Sequence, residues 1–488
     1  MSEKSLKVNM VLNTLKAFMS VVFPLITFPY VAKILQVDNL GKYNFSNSII
    51  NYFILLAGLG ISSYAIREGA GFRNEREKFK SFANEIFSIN LLSTILAYFL
   101  LIVCIILVKK FHTYTAILII LSLQIIFRTI GVEWIYSIFE DYAYITIRSI
   151  VFQLISLVLL FVFVKKQSDY IIYAAISAFS NGGASILNYF HVKKYCRVKF
   201  TMKINWRIHL KPILIIFSIT AASTIYVSSD STLLGFLCGD YTVGIYSISS
   251  KIYSIVKIML ASLLIVSVPR LSLYLGQENH EKFIKTAQEI IELLITLMLP
   301  AVVGLFILSH EVILFFTNTL YLEAQQSLQF LCIALIFCLF AWFWSQCILL
   351  PLKQEKVIFK ATIISAFVNL LLNIVFIPIW KQNAAAFAVI VAEAIAMIIC
   401  MLEARKKFRI PGINESIIKS GIGCIAVIGV LYTLQLFKFT SIVYLILSTI
   451  VSCIIYFSVE YLLKNNAVFS IVISAKNKIL KQYKNTLQ

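Results

Sequence analysis

Apolar stretches of about 20 residues recur along the whole chain, and they constrain its fold more than any other feature. A helix rises about 1.5 Å per residue, so about 20 residues cross a hydrocarbon core about 30 Å thick. Inside lipid each backbone N–H and C=O must be bonded within its own segment, which favours helices. The sequence therefore predicts an all-α polytopic membrane protein with about 14 transmembrane helices. The segments are 10–32, 43–65, 84–108, 114–138, 144–164, 170–190, 213–236, 242–268, 287–308, 326–350, 359–379, 384–404, 416–437 and 441–463.

The distribution of Lys and Arg predicts the orientation of these helices. The terminal tails and the loops after even-numbered segments carry 30 basic residues, whereas the opposite loops carry 8. Because basic residues favour the cytoplasmic side, both termini are predicted to be cytoplasmic. The net charge of +20 then reflects topology and attraction to anionic membrane lipids, and nucleic-acid binding is not expected.

Five identical residues recur at a spacing of 203 positions, which indicates an internal duplication. Both copies begin with an outward-running segment, so the repeats are parallel, and in such transporters the substrate site lies between two helix bundles. We predict six-helix lobes at 1–208 and 209–410, two further transmembrane helices at 411–464 and a basic cytoplasmic tail at 465–488. The repeated pairs are Gly41 and Gly244, Tyr43 and Tyr246, Ser46 and Ser249, Ile49 and Ile252, and Arg67 and Arg270.

Motifs for metals, cofactors and catalysis are not found in the sequence. The nine cysteines are scattered without a C-x-x-C pair, and the five histidines form no H-E-x-x-H motif. Gly58-Leu59-Gly60 is followed by Ser63 where a dinucleotide fingerprint needs glycine, and it lies inside a predicted span. We therefore expect no metal, no cofactor and no enzymatic activity.

Eight charged residues fall inside the predicted spans, where a charge costs roughly 2.5–3.5 kcal/mol at the bilayer centre on insertion scales. Such residues normally face a protein interior or a wet cavity. The five basic ones are predicted to line a cationic substrate-binding cavity, and the three acidic ones are candidates for ion coupling. The basic residues are Lys16, Arg128, Arg148, Lys251 and Lys257, and the acidic residues are Glu133, Asp230 and Glu393.

Polar stripes on three segments support such a cavity. Lys ammonium groups attract phosphate as point charges, Arg adds bidentate geometry, and hydroxyls and amides suit sugars. An amphiphile with a diphosphate, a sugar chain and a lipid tail matches this chemistry, whereas a hydrophobic cationic drug does not. The stripes are Asn9, Asn13, Lys16, Ser20 and Thr27 on segment 1; Ser218, Thr220, Ser223, Thr224, Ser228, Ser229 and Asp230 on segment 7; and Ser247, Ser250, Lys251, Ser254 and Lys257 on segment 8.

Structural roles remain open for most of these charges. Lys16 and Arg148 lie near the cytoplasmic ends of their segments, from which long side chains can reach the headgroups. Asp230 can pair with Lys251, Arg128 and Glu133 can reach each other only loosely, and Glu393 has no obvious partner. Lys257 lies deepest in its span. Arg67 and Arg270 either belong to a cytoplasmic gate or substrate entrance, or serve as ordinary anchors.

Several short stretches, in a fixed order and spacing, resemble one family. They are Tyr64-Ala65-Ile66-Arg67-Glu68-Gly69-Ala70, Trp134-Ile135-Tyr136 leading to Glu140, Tyr144-Ile145-Thr146-Ile147-Arg148, Asp230 before Leu234-Gly235, Gly244-Ile245-Tyr246, and Pro269-Arg270. These stretches are similar to the Wzx-type repeat-unit flippases of O-antigen and capsule synthesis. That family lies in the multidrug/oligosaccharidyl-lipid/polysaccharide exporter superfamily. Ile138 is a departure, because relatives often have glycine there.

The resemblance implies a flippase of the bacterial cytoplasmic membrane that works by alternating access. Its implied substrate is an undecaprenyl-diphosphate-linked oligosaccharide, moved from the cytoplasmic to the outer leaflet for surface polysaccharide synthesis. A polysaccharide polymerase of the same pathway is a possible partner. The alternatives are a flippase for lipid II or another lipid-linked glycan, and a drug or ion antiporter of the same superfamily. A membrane-embedded polymerase is disfavoured, since the longest outward loop, 309–325, has neither Lys nor Arg.

Overall fold

A computed structural model of the protein describes residues 6–437 and 439–469, except for the side chains of residues 6–18, 20 and 21. Within these residues the chain is 88% helical and has no strand. Thirteen helical stretches are long and apolar enough to cross a membrane. The predicted all-α polytopic class is confirmed.

The first compact unit is Met1–Ser247. Its long first helix, α1, packs against α3, α4, α6 and α9, so α1 is central to the unit. A π-helical turn, Phe179–Gly183, joins α7 to α8. The helices are α1 Leu6–Gly58, α2 Ile61–Gly69, α3 Arg76–Leu107, α4 Thr115–Gly131, α5 Glu133–Ile138, α6 Tyr142–Phe163, α7 Tyr170–Ala178, α8 Ala184–His191, α9 Trp206–Cys238 and the start of α10 Asp240–Gly276.

The second compact unit is Ile248–Gln488. It contains the rest of α10 and then α11 His280–Ile307, α12 Ser309–Phe316, α13 Ala324–Trp342, α14 Glu355–Trp380, α15 Gln382–Arg405, α16 Ile413–Gln435 and α17 Ser441–Leu462. Helix α15 packs against α13 and α14. The α16–α17 pair joins α11, where the Tyr456 hydroxyl donates to the Thr296 carbonyl at 2.7 Å. The division between the units falls inside α10, and the lobe boundaries drawn from the duplication remain a prediction.

The first two predicted segments fall in one helical stretch, Val22–Phe72, which includes α2 and the greater part of α1. Within it, Gln36 has φ 59° and ψ −178°, which no right-handed helix can accommodate. The thirteen stretches in the described residues therefore contain fourteen long helices. This count agrees with the number predicted from apolar segments.

Two predicted spans are broken within the membrane-length region. Leu59 and Gly60 have positive φ values of 44° and 71° between α1 and α2, and Val132 has φ 37° between α4 and α5. A broken helix is tolerated at this depth where neighbours satisfy the freed backbone groups. Asn90 Nδ2 and Ser93 Oγ donate to the carbonyl of Ala57 at 2.8 and 2.6 Å. At the other break Asn188 Nδ2 donates to the carbonyl of Gly131 at 2.9 Å.

Two glycines of the duplicated motif make a reciprocal close contact inside the first unit. A Cβ atom on Gly41 would lie 1.9 Å from the carbonyl oxygen of Asp240, and one on Gly244 would lie 2.1 Å from that of Val37. Gly244 follows Gly41 by 203 positions, and Asp240 follows Val37 by the same interval. The repeat therefore places glycine where two helix backbones meet with no room for a side chain.

Candidate binding cavity and membrane-embedded charges

A cavity of about 450 Å³ lies within the first unit, between α1, α2, α3, α4 and α9. Half of its lining residues are uncharged and polar, which is unusual for helices of membrane length. Arg128 is the one charged residue among the described lining residues. The polar ones are Asn51, Ser62, Ser63, Asn90, Thr129, Thr220, Ser223, Thr224 and Ser228, and the others are Ile54, Leu55, Ala57, Gly58, Gly60, Ile61, Ile125 and Val227.

The break between α1 and α2 forms one wall of this cavity. Helix α2 begins at Ile61 without a side-chain cap, and its first residues, Ile61, Ser62 and Ser63, line the cavity. The N-terminus of a helix carries a partial positive charge. A Cβ on Gly60 would lie 2.7 Å from the Ile216 side chain of α9, so glycine also permits close packing of α2 and α9.

Arg128 supplies a guanidinium to the cavity from the last turn of α4. It makes no ion pair with any side chain that the structure describes. The neighbouring Thr129 hydroxyl shares a 2.6 Å hydrogen bond with Thr94 and donates to the carbonyl of Ile125, which fixes this turn against α3. The Arg128 side chain is therefore available to an anionic ligand.

Arg148 is placed differently: its buried side chain forms an ion pair with the exposed Glu133. Its Nη2 lies 2.5 Å from Glu133 Oε1, and its Nη1 donates to the carbonyl of Ala184 at 2.8 Å. The pair ties α6 to α5 and α8. The sequence suggested a loose Arg128–Glu133 contact, whereas Glu133 begins a new helix after Val132 and turns to Arg148. This arrangement favours a structural role for Arg148.

Lys257 and Glu393 form an ion pair within the second unit. Lys257 Nζ lies 3.7 Å from Glu393 Oε1, and the ammonium also faces the rings of Tyr253 and Trp342 at 5.5 and 5.8 Å. The Glu393 side chain is 9% exposed and that of Lys257 is 23% exposed. Sequence reasoning left Glu393 without a partner because α10 and α15 are far apart in the chain. The structure brings them together.

The remaining predicted site residues occupy separate positions. Asp230 is buried and accepts a 2.7 Å hydrogen bond from the Tyr246 hydroxyl. Lys251 is half-buried on α10, and no ion pair joins it to another described side chain. Arg67 pairs with the adjacent Glu68 at 2.9 Å, and Arg270 donates to the Tyr274 hydroxyl at 3.0 Å; both arginines are exposed. Lys16 lies in α1, but its side chain is outside the described part.

The helical phase of segment 7 predicts one wall of the cavity, whereas the residues of the other walls were not predicted from the sequence. Four residues of the polar stripe on segment 7 line it: Thr220, Ser223, Thr224 and Ser228. Asn51, Ser62, Ser63, Asn90 and Thr129 were not singled out. The available signal was the Gly58-Leu59-Gly60 pair followed by two serines, since interrupted membrane helices often form binding sites.

Comparison with protein families identifies the class of this chain. The profile of the family described as polysaccharide biosynthesis protein matches residues 6–275, more than half of the 488 residues. The chain belongs to this family. A second profile, MatE, matches residues 212–379.

Two curated relatives of this polysaccharide biosynthesis family protein carry the same name, "Putative O-antigen transporter". The one from Escherichia coli K12 is 27% identical over 252 residues, which is 51% of this chain and 60% of that protein. The one from Shigella dysenteriae is 24% identical over 82% of this chain and the full length of the relative. The resemblance to O-antigen flippases is thereby confirmed. The protein is a multi-pass membrane transporter of the polysaccharide flippase type and not an enzyme.

Solved structures show the same fold. The lipid II flippase MurJ in an inward closed conformation aligns with a TM-score of 0.73 at 20% identity, over 95% of this chain and all of MurJ. An inward-facing multidrug resistance MATE family transporter of the MOP superfamily aligns with a TM-score of 0.54 at 14% identity, over 79% of this chain and 98% of that one. At such identities the likeness is one of fold.

Proposed function

We propose that this flippase moves undecaprenyl-diphosphate-linked oligosaccharide repeat units from the cytoplasmic to the outer leaflet by alternating access. The observation that carries the proposal is the cavity of the first unit, which combines one unpaired guanidinium with nine hydroxyl- or amide-bearing residues. Arg128 suits a diphosphate through bidentate, charge-assisted hydrogen bonds. The surrounding Ser, Thr and Asn side chains suit sugar hydroxyls without demanding one sugar.

The same cavity disfavours a drug antiporter as the main function. A cationic drug requires acidic or aromatic partners, and the described lining residues include neither. A lipid II flippase remains the alternative, because lipid II shares the lipid diphosphate and differs only in its glycan. A polymerase that receives the flipped unit is the partner we propose for the outer face.

We further propose that Lys257 and Glu393 couple substrate to an ion. Their separation of 3.7 Å exceeds the roughly 2.7–2.9 Å of a tight charge-assisted hydrogen bond, so an incoming diphosphate can replace Glu393 at the ammonium. The displaced Glu393 carboxylate would then be the group that exchanges with the coupling ion. Cys338 and Tyr253 also face this pair. Asp230 and Glu133 remain further candidates, held by Tyr246 and Arg148 respectively.

The proposed location is the bacterial cytoplasmic membrane with both termini inside. Reporter fusions at Lys203, in the basic loop before α9, and at Gln382, at the start of α15, are expected to report opposite sides of the membrane. The reason is the excess of basic residues in the loops assigned to the cytoplasm. Reports from the same side would contradict the predicted topology.

Reconstitution tests the transport proposal directly. Purified protein in proteoliposomes is expected to make a fluorescent undecaprenyl-diphosphate oligosaccharide, initially in the inner leaflet, accessible to a membrane-impermeant quencher faster than empty liposomes do. Lipid II labelled in the same way and a fluorescent phosphatidylcholine serve as comparisons. Faster movement of lipid II would favour the alternative. Equal movement of all three lipids would contradict specific transport.

A further inference from the structure

A second cavity in the first unit, of about 190 Å³, is more strongly charged than the first. It lies where the end of α8 meets the segment 192–199 and α3. Three of its eight described lining residues are basic, and none is acidic. They are Lys193, Arg197 and Lys199, together with Phe87, Val132, Tyr189, Val192 and Val198.

The segment that carries these cations is fixed to α3. The backbone N–H groups of Lys199, Thr201 and Asn205 donate to the side chains of Asn84, Ser88 and Glu85 at 2.8, 2.8 and 2.9 Å respectively. These bonds place Arg197 and Lys199 on one wall of the cavity.

The opposite wall is fixed as well. A 3₁₀ turn, Val192–Lys194, continues α8 and holds Lys193. Just beyond it, the Tyr195 hydroxyl donates to Asp141 at 2.5 Å. Burial and this hydrogen bond raise the pKa of Tyr195 above its usual value, so the hydroxyl keeps its proton and the contact persists at neutral pH. These contacts hold the backbone that carries the three basic residues beside one cavity.

Like charges that line one cavity repel one another. An anion in the cavity would relieve that repulsion. The floor is apolar, formed by Phe87, Val132, Val192 and Val198, and the nearby Phe190 ring is 61% exposed. Cations above an apolar floor, beside an exposed aromatic ring, are typical of a membrane interface.

We propose that this cavity is a binding site for the phosphate of an anionic headgroup, separate from the transport cavity. The phosphate belongs either to a membrane phospholipid or to a soluble phosphorylated molecule. The site adjoins the broken helix, because Val132 is both part of its floor and the residue with φ 37° between α4 and α5. Val132 immediately precedes Glu133, the ion-pair partner of Arg148, and follows Arg128 by four positions in the sequence. A ligand in this cavity would therefore contact a residue close to both arginine sites along the chain.

The test uses the full-length protein in phosphatidylcholine vesicles that contain a photoactivatable phosphatidylglycerol. Crosslinking is expected at peptides that contain Phe87 or Tyr189. A triple variant, Lys193→Gln, Arg197→Gln and Lys199→Gln, should lower the yield at these peptides at least about tenfold, because each cation near a membrane surface contributes about 1 kcal/mol. A matched triple variant, Lys194→Gln, Lys203→Gln and Arg207→Gln, removes the same charge from the neighbouring turn, loop and start of α9, outside the cavity, and should retain most of the yield.

Inorganic phosphate distinguishes the two sources of the ligand. Crosslinking that persists in millimolar phosphate assigns the site to a lipid headgroup. Crosslinking that phosphate abolishes, with the same difference between the two triple variants, assigns it to soluble phosphate. Equal loss in both triple variants would overturn the proposal in favour of diffuse surface attraction, and so would the lack of crosslinking at these peptides in the unmodified protein.

Discussion

Replacing Lys257 with alanine is expected to lower surface polymer export about 10- to 150-fold while the protein remains in the membrane. A hydrogen bond to a charged group contributes roughly 1.5–3 kcal/mol to binding. Each loss of about 1.4 kcal/mol weakens binding tenfold, which gives this range. The Lys257 side chain is 23% exposed and its Nζ lies 3.7 Å from Glu393 Oε1, and we propose that it binds the diphosphate. Lys257→Arg keeps the charge and should retain much of the activity. The measurement is polymer export at matched protein level.

The partner of Lys257 supplies the control. Lys257→Ala alone leaves Glu393 as a buried charge without its counter-ion, which can lower the protein level for structural reasons. Combining it with Glu393→Ala removes both charges. Recovered protein without transport means that Lys257 serves the substrate, whereas recovered transport means that the pair is structural. Near-normal export by Lys257→Ala at matched level contradicts a role in capture, and unchanged gradient dependence in Glu393→Gln removes that carboxylate from coupling.

Arg128→Ala is expected to slow movement of the lipid-linked oligosaccharide in proteoliposomes by a similar factor, about 10- to 150-fold. The reason is that Arg128 is the one charged residue that the structure places on the wall of the first cavity. Arg128→Lys keeps the charge but loses the bidentate geometry, so an intermediate rate is expected. The loss should appear mainly as weaker substrate affinity, measured from the dependence of rate on substrate concentration.

A suitable control for Arg128 is Arg76→Gln, which removes an exposed arginine at the start of α3 away from the cavity. Its transport rate should stay close to that of the unmodified protein. If Arg128→Ala transports as fast as this control, Arg128 does not bind the substrate. If both variants are equally slow, net charge rather than the cavity is responsible.

Much of the fold follows from the sequence, because apolar segment length sets how many helices cross the membrane. The sequence also predicts the hydroxyl-bearing wall that α9 contributes. At about 100° per residue, Thr220, Thr224 and Ser228 lie on one side of that helix. The breaks at Leu59 and Val132 do not follow. Apolar composition indicates which residues lie within the membrane but not where a helix is interrupted. A positive φ at a non-glycine residue such as Leu59 or Val132 depends on the packing around it.

Ion-pair partners lie beyond sequence reasoning for a related reason. Glu133 pairs with Arg148, 15 positions away in the sequence. Glu393 pairs with Lys257, which lies well over a hundred positions away. Spacing within one helix identifies neighbours three or four residues apart and nothing more distant. Which charges meet is decided by how helices from distant parts of the chain pack. Arg67 and Arg270, matched in sequence, keep both predicted roles, a cytoplasmic gate or substrate entrance on the one hand and ordinary anchoring on the other.

The reciprocal contact of Gly41 and Gly244 has a consequence for the origin of the chain. Gly41 meets Asp240, and the equivalent residues Gly244 and Val37 meet in the same way. Identical subunits related by a two-fold axis form such paired contacts, which are called isologous. In an ancestral half-length protein, this glycine would have packed against the backbone of the second subunit of a symmetric dimer. If the two copies arose by duplication, as the repeat predicts, fusion of the two genes would have made that symmetry intramolecular. The rest of each copy would then have been free to diverge, so that one half could acquire Arg128 and the other the Lys257–Glu393 pair.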